Sequence, residues 1–344
     1  MLFSLYPTDG PDVRAAVVAA AVRDTDAMVF TSLHIPESQA LRAFGAYLRE
    51  LHVGHGLTFC ADVSPATLDQ LGIEVADAGL LRAWGVTMVR IDYGFTAEQT
   101  ARIAEAGGYR IAVNASTVTA ADLDRLDGLD VVGWHNFYPR PETGLSADFF
   151  AAQNAMLRGH GLDLYCFVPG ERSFRSPLRL GLPTLESHRG ANAYLNHARV
   201  LAACPEATVV CAEGVLFDEH LAWIEHRERT GEIVLPMAGL DASVTFLLDG
   251  SWRLRIEGTD YSHRIEGTRH PRTPERVVNG ASRRAGSLQA DLAGMGRYHG
   301  ELHLMRTDRP LLAGQALVGG LAGPYAGLID CLRPGDTVRF VATA

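Results

Sequence analysis

The chain contains no lysine: all 31 of its basic residues are arginine. Enzymes that form a Schiff base with a carbonyl substrate need a lysine amine, so this absence excludes that chemistry. The 40 acidic residues give a formal net charge of −9. This acidic balance disfavours nucleic acid or an anionic membrane surface as the main partner. An anionic small molecule would need a local group of arginines.

Cysteine is scarce and scattered. The five cysteines are odd in number, form no CxxC pair and lie mostly inside apolar runs, which is typical of buried thiols in a reducing compartment. The first residues, MLFSLYPTDG, lack a charged segment followed by a long apolar stretch. No run reaches the roughly 18 apolar residues of a membrane span. We therefore expect a cytoplasmic protein that acts on neither membranes nor nucleic acids.

Eight short apolar segments alternate with helix-length segments that Gly or Pro residues punctuate. The predicted strands are Leu2–Tyr6, Ala27–Leu33, Leu57–Val63, Thr87–Asp92, Arg110–Asn114, Asp130–His135, Asp163–Val168 and Thr208–Ala212. Eight such units over about 235 residues predict a (β/α)8 TIM barrel, which usually needs about 250 residues. The alternative is a doubly wound open sheet. Such a sheet normally carries a Gly-rich turn after its first strand, where this chain has SLYPTDG.

Three helix starts carry local signals. Pro36 suits the first position of a helix in which Leu41, Phe44, Leu48 and Leu51 recur at helical spacing. Ser64, directly before Pro65, and Ser146 both suit the N-cap position of a helix. We expect these helices to cover the outside of the barrel.

After Pro236 the sequence pattern changes from alternating strands and helices to short strands. The segments SVTFLLDGSWRLRIEG, GELHLMR, PLLAGQALVGGL and DTVRFVA read as short strands that Gly, Asp and Pro separate. A chain of 344 residues also exceeds what one core usually supports. We predict two domains, a barrel over residues 1–236 and a small β-rich domain over residues 237–344. A basic, loop-rich stretch spans residues 270–286.

Carboxylates follow several of the predicted strands, and in a TIM barrel all strand C-termini open onto one face. Asp92 ends the fourth strand beside Tyr93, where an apolar setting could raise its pKa as a general acid requires. Asp9, Glu37 and Asp62 follow strands one, two and three. Each carboxylate also has a structural alternative, since Asp92 could cap a helix or pair with an arginine, and acidic residues favour the first turn of a helix.

The segment GWHNFYPRPETGLS concentrates polar groups after the sixth strand. Two prolines stiffen this loop, which carries His135, Asn136, Tyr138 and Glu142. Its alternative interpretation is an ordinary Pro-rich connection. Asn114, at the end of the fifth strand, suits a sugar hydroxyl or an acetamide group.

Arginines follow the seventh strand, where barrel enzymes often bind phosphate. A guanidinium matches the geometry of phosphate oxygens, so we expect Arg175 or Arg189 near a phosphate group. Glu186 and His188 lie in the same segment. A solvated surface loop is the alternative.

His34 and His135 could ligate a metal, but without HxH or HExxH spacing we expect no catalytic metal.

Several of these segments together resemble the MupG-type 6-phospho-N-acetylmuramidase family. The matching segments are SLYPTDG, FTSLHIPE, DVSPATLDQLG, VRIDYGF, NASTV, GWHNFYPRPETGLS with FFAAQN, FVPG, RSPLRLGLPTLESHR and GELHLMR. The resemblance implies a TIM barrel followed by a cyclophilin-like β domain. It also implies cofactor-free hydrolysis of the phosphorylated disaccharide MurNAc 6-phosphate–GlcNAc during cell-wall recycling.

Glycosidases generally use two carboxyl groups, and a 2-acetamido sugar can also attack with its own carbonyl oxygen. Asp92 and Glu142 are the predicted catalytic pair, and Glu186 and Glu37 are the alternative candidates for these two roles. The predicted substrate-binding residues are Asp9, His34, Asp62, Asn114, His135, Asn136, Tyr138, Arg175, His188 and Arg189. The sequence leaves open which carboxyl is the acid, and whether the chain forms a homo-oligomer.

Two other functions fit the same pattern. The first is a barrel lyase or isomerase of a small sugar phosphate, for which a metal-dependent route stays open. The second is a non-catalytic sugar-phosphate sensor that uses the same pocket. Tight ligand binding without turnover would favour the sensor.

Overall fold

The computed structural model describes residues 1–23, 28–34, 41–91, 93–274 and 282–343. The chain divides into two compact units. The first comprises Met1–Ala193 with Ala203–Phe217, and the second comprises Tyr194–Ala202 with the residues from Asp218 onward. Within the described ranges, every helix falls short of the length or the hydropathy that a bilayer crossing requires.

Eight parallel strands form a closed barrel in the first unit. They are β1 (Leu2–Ser4), β2 (Met28–Ser32), β3 (Thr58–Val63), β4 (Val86–Ile91), β5 (Arg110–Asn114), β6 (Val131–Trp134), β7 (Leu164–Val168) and β8 (Thr208–Cys211). Each strand pairs with the next, and β8 closes the barrel on β1 through the partners Leu2↔Val210 and Phe3↔Cys211. The predicted TIM barrel is confirmed, with strand ends that differ from the predicted ones by a few residues.

Helices connect these strands. They are α1 (Pro11–Ala21), α2 (Leu41–His55), α3 (Pro65–Leu71), α4 (Ala97–Gly107), α5 (Ala120–Asp124), α6 (Ala147–Gly159), α7 (Ala193–Ala203) and α8 (Asp218–Thr230). Short 3-10 helices span Val75–Trp84 and Glu186–His188. Most of α7 and all of α8 belong to the second unit.

Local signals account for two of the helix starts. Ser64 caps α3, and the Phe149 backbone N–H donates a 3.2 Å hydrogen bond to the Oγ of Ser146, which caps α6. Both predicted caps are confirmed. The predicted start at Pro36 lies outside the described residues, but the helical spacing of its apolar residues is confirmed, because Leu41, Phe44, Leu48 and Leu51 are buried in α2.

Aromatic side chains fill the interior of the barrel. The Trp134 and Tyr165 rings stack at a centroid distance of 4.3 Å, and Phe30 meets Phe167 edge to face at 5.0 Å. Each buried aromatic ring removes about 150 to 250 Å² of surface from water, so this packing stabilises the floor beneath the strand ends. Tyr6 is fully buried in the same cluster.

The second unit contains a seven-stranded sheet in the order β10-β17-β9-β16-β13-β14-β11, and a separate pair of β12 and β15. These strands are β9 (Ile233–Ala238), β10 (Ser251–Arg253), β11 (Ser262–Arg264), β12 (Ser282–Arg283), β13 (Ser287–Asp291), β14 (Leu302–Met305), β15 (Arg309–Pro310), β16 (Gln315–Leu321) and β17 (Thr337–Ala342). Further 3-10 helices span Ala242–Asp249, Ala293–Tyr298 and Gly323–Cys331. The predicted domain boundary at residue 236 falls inside β9, which pairs with both β16 and β17.

The strand prediction for SVTFLLD is wrong, because these residues form the 3-10 helix Ala242–Asp249. Asp241 starts this helix by accepting hydrogen bonds from the Ser243 backbone N–H at 2.9 Å and from the Ser243 Oγ at 2.6 Å. Val244 and Leu247 are buried three residues apart, which is the period of a 3-10 helix. An apolar run of this length fits either structure, and the cap decides between them.

Candidate active site

A buried carboxyl group follows β8 at the mouth of the barrel. Glu213 is only 1% exposed, and its Oε2 accepts a hydrogen bond from the Arg175 backbone N–H at 2.5 Å. Burial raises the pKa of Glu213 to about 7, although hydrogen bonds from the Arg175 and Leu182 backbones and the Arg175 charge act to lower it. A carboxyl with this pKa is protonated in about half of the molecules at neutral pH.

A second carboxyl group, Asp9, lies in the turn after β1. Its Oδ2 accepts a 2.7 Å hydrogen bond from the Tyr6 backbone N–H. Burial raises the pKa of Asp9, while this hydrogen bond and the charges of Arg14 and Arg175 lower it. The negative charge of Asp9 in turn helps to raise the pKa of Glu213, so the two groups influence each other electrostatically.

Arg175 supplies positive charge to the same cluster. Its guanidinium carbon lies 4.8 Å from the centre of the Tyr6 ring and 5.7 Å from that of Phe137, which is within cation–π range. Among the described residues, no acceptor takes a hydrogen bond from this guanidinium. Its five N–H donors are therefore available to an anionic ligand.

A buried ion pair joins the ends of β3, β4 and β6. Arg90, 2% exposed, lies 3.0 Å from Asp62 through its Nη1, and its Nη2 donates a hydrogen bond to the Asn136 Oδ1. Asn136 also donates its backbone N–H to the Ser116 Oγ at 2.9 Å, and the Ser116 N–H donates to the Asn114 Oδ1 at 3.1 Å. Buried charges are costly unless they are paired, so this network fixes the strand ends that surround the pocket.

The two predicted histidines occupy different environments. The ring nitrogens of His34 lie 2.7 Å from the Ser64 Oγ and 3.1 Å from the Oη of Tyr93, an exposed residue. His135 is fully buried, with its ring nitrogens 3.2 Å from the Ser116 Oγ and 2.7 Å from the Asn154 Oδ1 on α6. Burial lowers the pKa of His135 to about 4, so this ring is neutral at physiological pH.

Glu186 anchors the loop that follows β6. Its carboxylate accepts backbone hydrogen bonds from Glu142 at 3.0 Å and Gly144 at 2.9 Å, and it lies 2.6 Å from the Nε of Arg189. The Arg189 guanidinium lowers the pKa of Glu186 to about 2. A carboxyl with this pKa stays ionised at neutral pH and cannot donate a proton there.

The Arg189 guanidinium donates hydrogen bonds both to the loop after β6 and to the segment after β7. The guanidinium donates to the backbone carbonyls of Tyr138 at 2.9 Å, Leu180 at 3.1 Å and Gly181 at 3.0 Å, in addition to Glu186. Glu142, at the tip of this loop, is exposed and has a φ of 68°, a left-handed conformation that is uncommon outside glycine. We call Glu186 and Arg189 the loop anchor.

The predicted site residues thus fall into separate groups. Arg175 contacts Glu213 and Asp9 acts on its pKa, whereas Asp62, Asn114 and Asn136 form the network around Arg90. Tyr138, Glu142, Glu186 and Arg189 lie in or around the anchored loop, where His188 is buried two residues after Glu186. His34 lies beside Tyr93, and His135 packs against α6. Asp92 and Glu37 lie outside the described residues.

Glu213 is not among the site residues predicted from the sequence. The rule that selected Asp9 and Asp62 applies to it as well, because Glu213 stands two residues after the end of β8. The signal was therefore present in the segment VVCAEG. Its burial and its contact with Arg175 depend on the loop after β7, which no local pattern specifies.

A cavity of about 470 Å³ lies beside the ends of β4 and β5. Its lining includes the polar side chains of Tyr93, Thr96, Asn114, Thr117 and Arg125. This volume is within the range of small-molecule sites.

Comparisons with known proteins agree with this architecture. A crystal structure of a conserved protein of unknown function from Enterococcus faecalis has a TM-score of 0.83 at 26% sequence identity, covering 100% of this chain and 96% of that one. A crystal structure of an uncharacterized B. cereus protein has a TM-score of 0.76 at 22% identity, covering 98% of both chains. No curated protein matches the sequence.

A family model described as 6-phospho-N-acetylmuramidase, N-terminal, matches residues 3–224. The matched range contains all of the barrel except its first strand residue, Leu2, with Asp9, Arg175 and Glu213 at the barrel mouth, and it amounts to more than half of the chain. The chain belongs to the 6-phospho-N-acetylmuramidase family.

Proposed function

We propose that this protein is a glycoside hydrolase that cleaves MurNAc 6-phosphate–GlcNAc into MurNAc 6-phosphate and GlcNAc. Family membership supports this reaction, and the observation that carries it is the cluster of Glu213, Asp9 and Arg175 at the barrel mouth. Glycosidases need one carboxyl that holds a proton near neutral pH beside a second carboxyl group. Glu213, with a pKa of about 7, suits the first role.

In the proposed reaction, the Glu213 carboxyl donates its proton to the glycosidic oxygen while the bond from that oxygen to the anomeric carbon breaks. Asp9, as a carboxylate, stabilises the positive charge at this carbon or orients the 2-acetamido group for attack. Water then supplies the hydroxyl of the sugar product, and its proton returns to the Glu213 carboxylate. Asp92 remains a prediction for the second carboxyl.

Arg175 is the proposed ligand of the 6-phosphate. Its donors are not taken by other described residues, and its aromatic neighbours Tyr6 and Phe137 hold the guanidinium plane in place. A guanidinium can donate two parallel hydrogen bonds to one phosphate group. Arg189, the other predicted phosphate ligand, is engaged with backbone carbonyls and with Glu186 instead.

We place the reaction in the cytoplasm, as part of cell-wall recycling. All five cysteines are buried and free, which supports a reducing compartment.

The direct test incubates the full chain with MurNAc 6-phosphate–GlcNAc and identifies the products by mass spectrometry. We expect MurNAc 6-phosphate and GlcNAc from the wild type. A Glu213→Gln variant should have a kcat about 10²- to 10⁴-fold lower, which is the usual contribution of general acid catalysis. Glu105→Gln, at an exposed position on α4, is the matched control and should retain the wild-type rate.

Three results would overturn the proposal. If the Glu213→Gln variant hydrolyses the disaccharide at the wild-type rate, Glu213 is not the general acid. An eliminated or rearranged sugar phosphate would indicate a lyase or an isomerase. Tight binding of the disaccharide without any product would indicate a sensor.

A further inference from the structure

We propose a zinc site in the second unit, formed by Asp291, Glu301 and His303, and this inference does not rest on the proposed glycosidase activity. Asp291 ends β13, Glu301 directly precedes β14, and His303 lies on β14. One ligand atom from each of the three side chains can be chosen so that all lie within 4.8 Å of one another.

The pairing of β13 with β14 places two negative charges opposite each other. Gln289 is the antiparallel partner of His303, and the Asp291 backbone N–H donates to the Glu301 carbonyl at 3.0 Å. Side chains two residues apart on a strand share a face, so Asp291, Glu301 and His303 lie on the same side of the sheet. Like charges directly opposite one another destabilise a sheet, and a cation bound between them would offset that cost.

Only one of the two carboxylate oxygens of Asp291 accepts hydrogen bonds from the described residues. The residue is 4% exposed, and its Oδ1 accepts hydrogen bonds from the side-chain amides of Gln289 at 2.7 Å and Gln315 at 3.3 Å. Within the described ranges its Oδ2 accepts no hydrogen bond and lies 3.5 Å from the His303 Nε2. The two glutamines thus fix the carboxylate and aim one oxygen at the imidazole.

Glu301, on the opposite strand side, likewise has one carboxylate oxygen held by neighbouring side chains and the other directed at His303. It is 2% exposed, and its Oε1 lies 3.0 Å from Arg269 and 3.5 Å from Arg255. No described group donates a hydrogen bond to its Oε2, which lies 3.7 Å from the His303 Nε2. The arginines neutralise one oxygen and hold the side chain, so the other oxygen faces the same point as the Asp291 Oδ2.

His303 completes the set of ligands. Its Nδ1 lies 3.2 Å from the Ser262 Oγ, whereas its Nε2 is buried and makes no hydrogen bond to the described residues. In metal sites, the second ring nitrogen of a histidine ligand is usually held by such a hydrogen bond, which directs the other nitrogen at the metal. A buried nitrogen without a partner is costly, and a cation between Nε2 and the two carboxylates removes that cost.

The spacing and chemistry of the ligands favour zinc. Donors bound at about 2.1 Å to a tetrahedral ion lie about 3.4 Å apart. The imidazole nitrogen lies 3.5 Å and 3.7 Å from the two carboxylate oxygens, which is close to that separation. An imidazole with two carboxylates suits Zn²⁺, whereas Mg²⁺ and Ca²⁺ prefer oxygen ligands alone. A bound ion would also cross-link β13 to β14.

The test is calorimetric titration of the EDTA-treated full chain with ZnCl₂. We expect one tight site in the wild type. Asp291→Asn, Glu301→Gln and His303→Asn should each weaken zinc binding by about 100-fold or more, since losing only the hydrogen-bond partner of a ligand costs about 10- to 100-fold. Ser262→Ala tests that smaller loss. Asp249→Asn and His270→Asn, both at exposed positions, are the matched controls and should bind as the wild type does.

Thermal melting separates metal binding from misfolding. Without metal, Asp291→Asn removes one of the two opposed charges, so its melting temperature should equal or exceed that of the wild type. Added zinc should raise the melting temperature of the wild type and leave that of the variant unchanged. The site is refuted if the wild type binds no zinc. It is also refuted if the three ligand substitutions leave zinc binding unchanged.

Discussion

At the scale of single residues, side chains of the same type differ in pKa or in hydrogen bonding because their surroundings differ. Glu213 and Glu186 are both glutamates near the barrel mouth, but burial raises the pKa of Glu213 to about 7, and Arg189 lowers the pKa of Glu186 to about 2. The two arginines differ in the same way. Within the part of the chain that the structure describes, the Arg175 guanidinium donates to no acceptor, whereas Arg189 donates to several backbone carbonyls.

Substitution of the two arginines should therefore give different results. Arg175→Gln should raise KM by about 10- to 100-fold for the phosphorylated disaccharide, since a hydrogen bond to a charged group contributes about 1.5 to 3 kcal/mol. It should change KM little for the unphosphorylated counterpart. Arg189→Gln should affect both substrates equally, through the anchored loop.

These kinetics are best measured at pH 6, because Arg175 lowers the pKa of Glu213 and its loss would raise that pKa further. At pH 6, Glu213 is mostly protonated in both proteins. Equal losses on both substrates with Arg175→Gln would exclude Arg175 as the phosphate ligand.

At the scale of elements, one carboxylate orders an irregular loop. The segment from Tyr138 to Gly144 has little regular structure, and its backbone N–H groups at Glu142 and Gly144 donate to Glu186 instead. The prolines of this segment limit its conformations, and the loop anchor selects one of them. Glu142 is thereby held at a positive φ, a conformation that costs about 1 to 3 kcal/mol and so needs such support.

Removal of the anchor should loosen this loop. Glu186→Ala should accelerate hydrogen exchange at the Glu142 and Gly144 amides and lower the free energy of unfolding by about 1 to 3 kcal/mol, because Arg189 loses its partner. Exchange measured by NMR and urea denaturation check the two effects, with Glu105→Ala as the control. Unchanged protection of both amides would show that Glu186 does not hold the loop.

At the scale of the whole molecule, the sequence predicted the barrel better than the site. Strand and helix periods are local, so Arg110–Asn114 was predicted to the residue, and closure of the barrel follows from eight such units. Convergence of Asp9 and Arg175 on one face follows from the same topology.

Long-range contacts explain what local patterns could not provide. Whether a strand-end side chain faces the pocket or a helix depends on the final packing, as His135 against Asn154 shows. The segment GELHLMR places Glu301 and His303 on one strand face, but the partner Asp291 is identified only by the pairing of β13 with β14. The helix at Ala242–Asp249 likewise depends on a cap that the apolar run does not reveal.

The pH dependence of kcat/KM tests the central claim most directly. Glu213 must be protonated to act as the general acid, so kcat/KM of the wild type should fall as the pH rises through about 7, the pKa of this group. In Glu213→Gln the residual kcat/KM should lose this alkaline limb, whereas Glu105→Gln should keep it. A Glu213→Gln profile that falls at the same pH as that of the wild type would contradict the account.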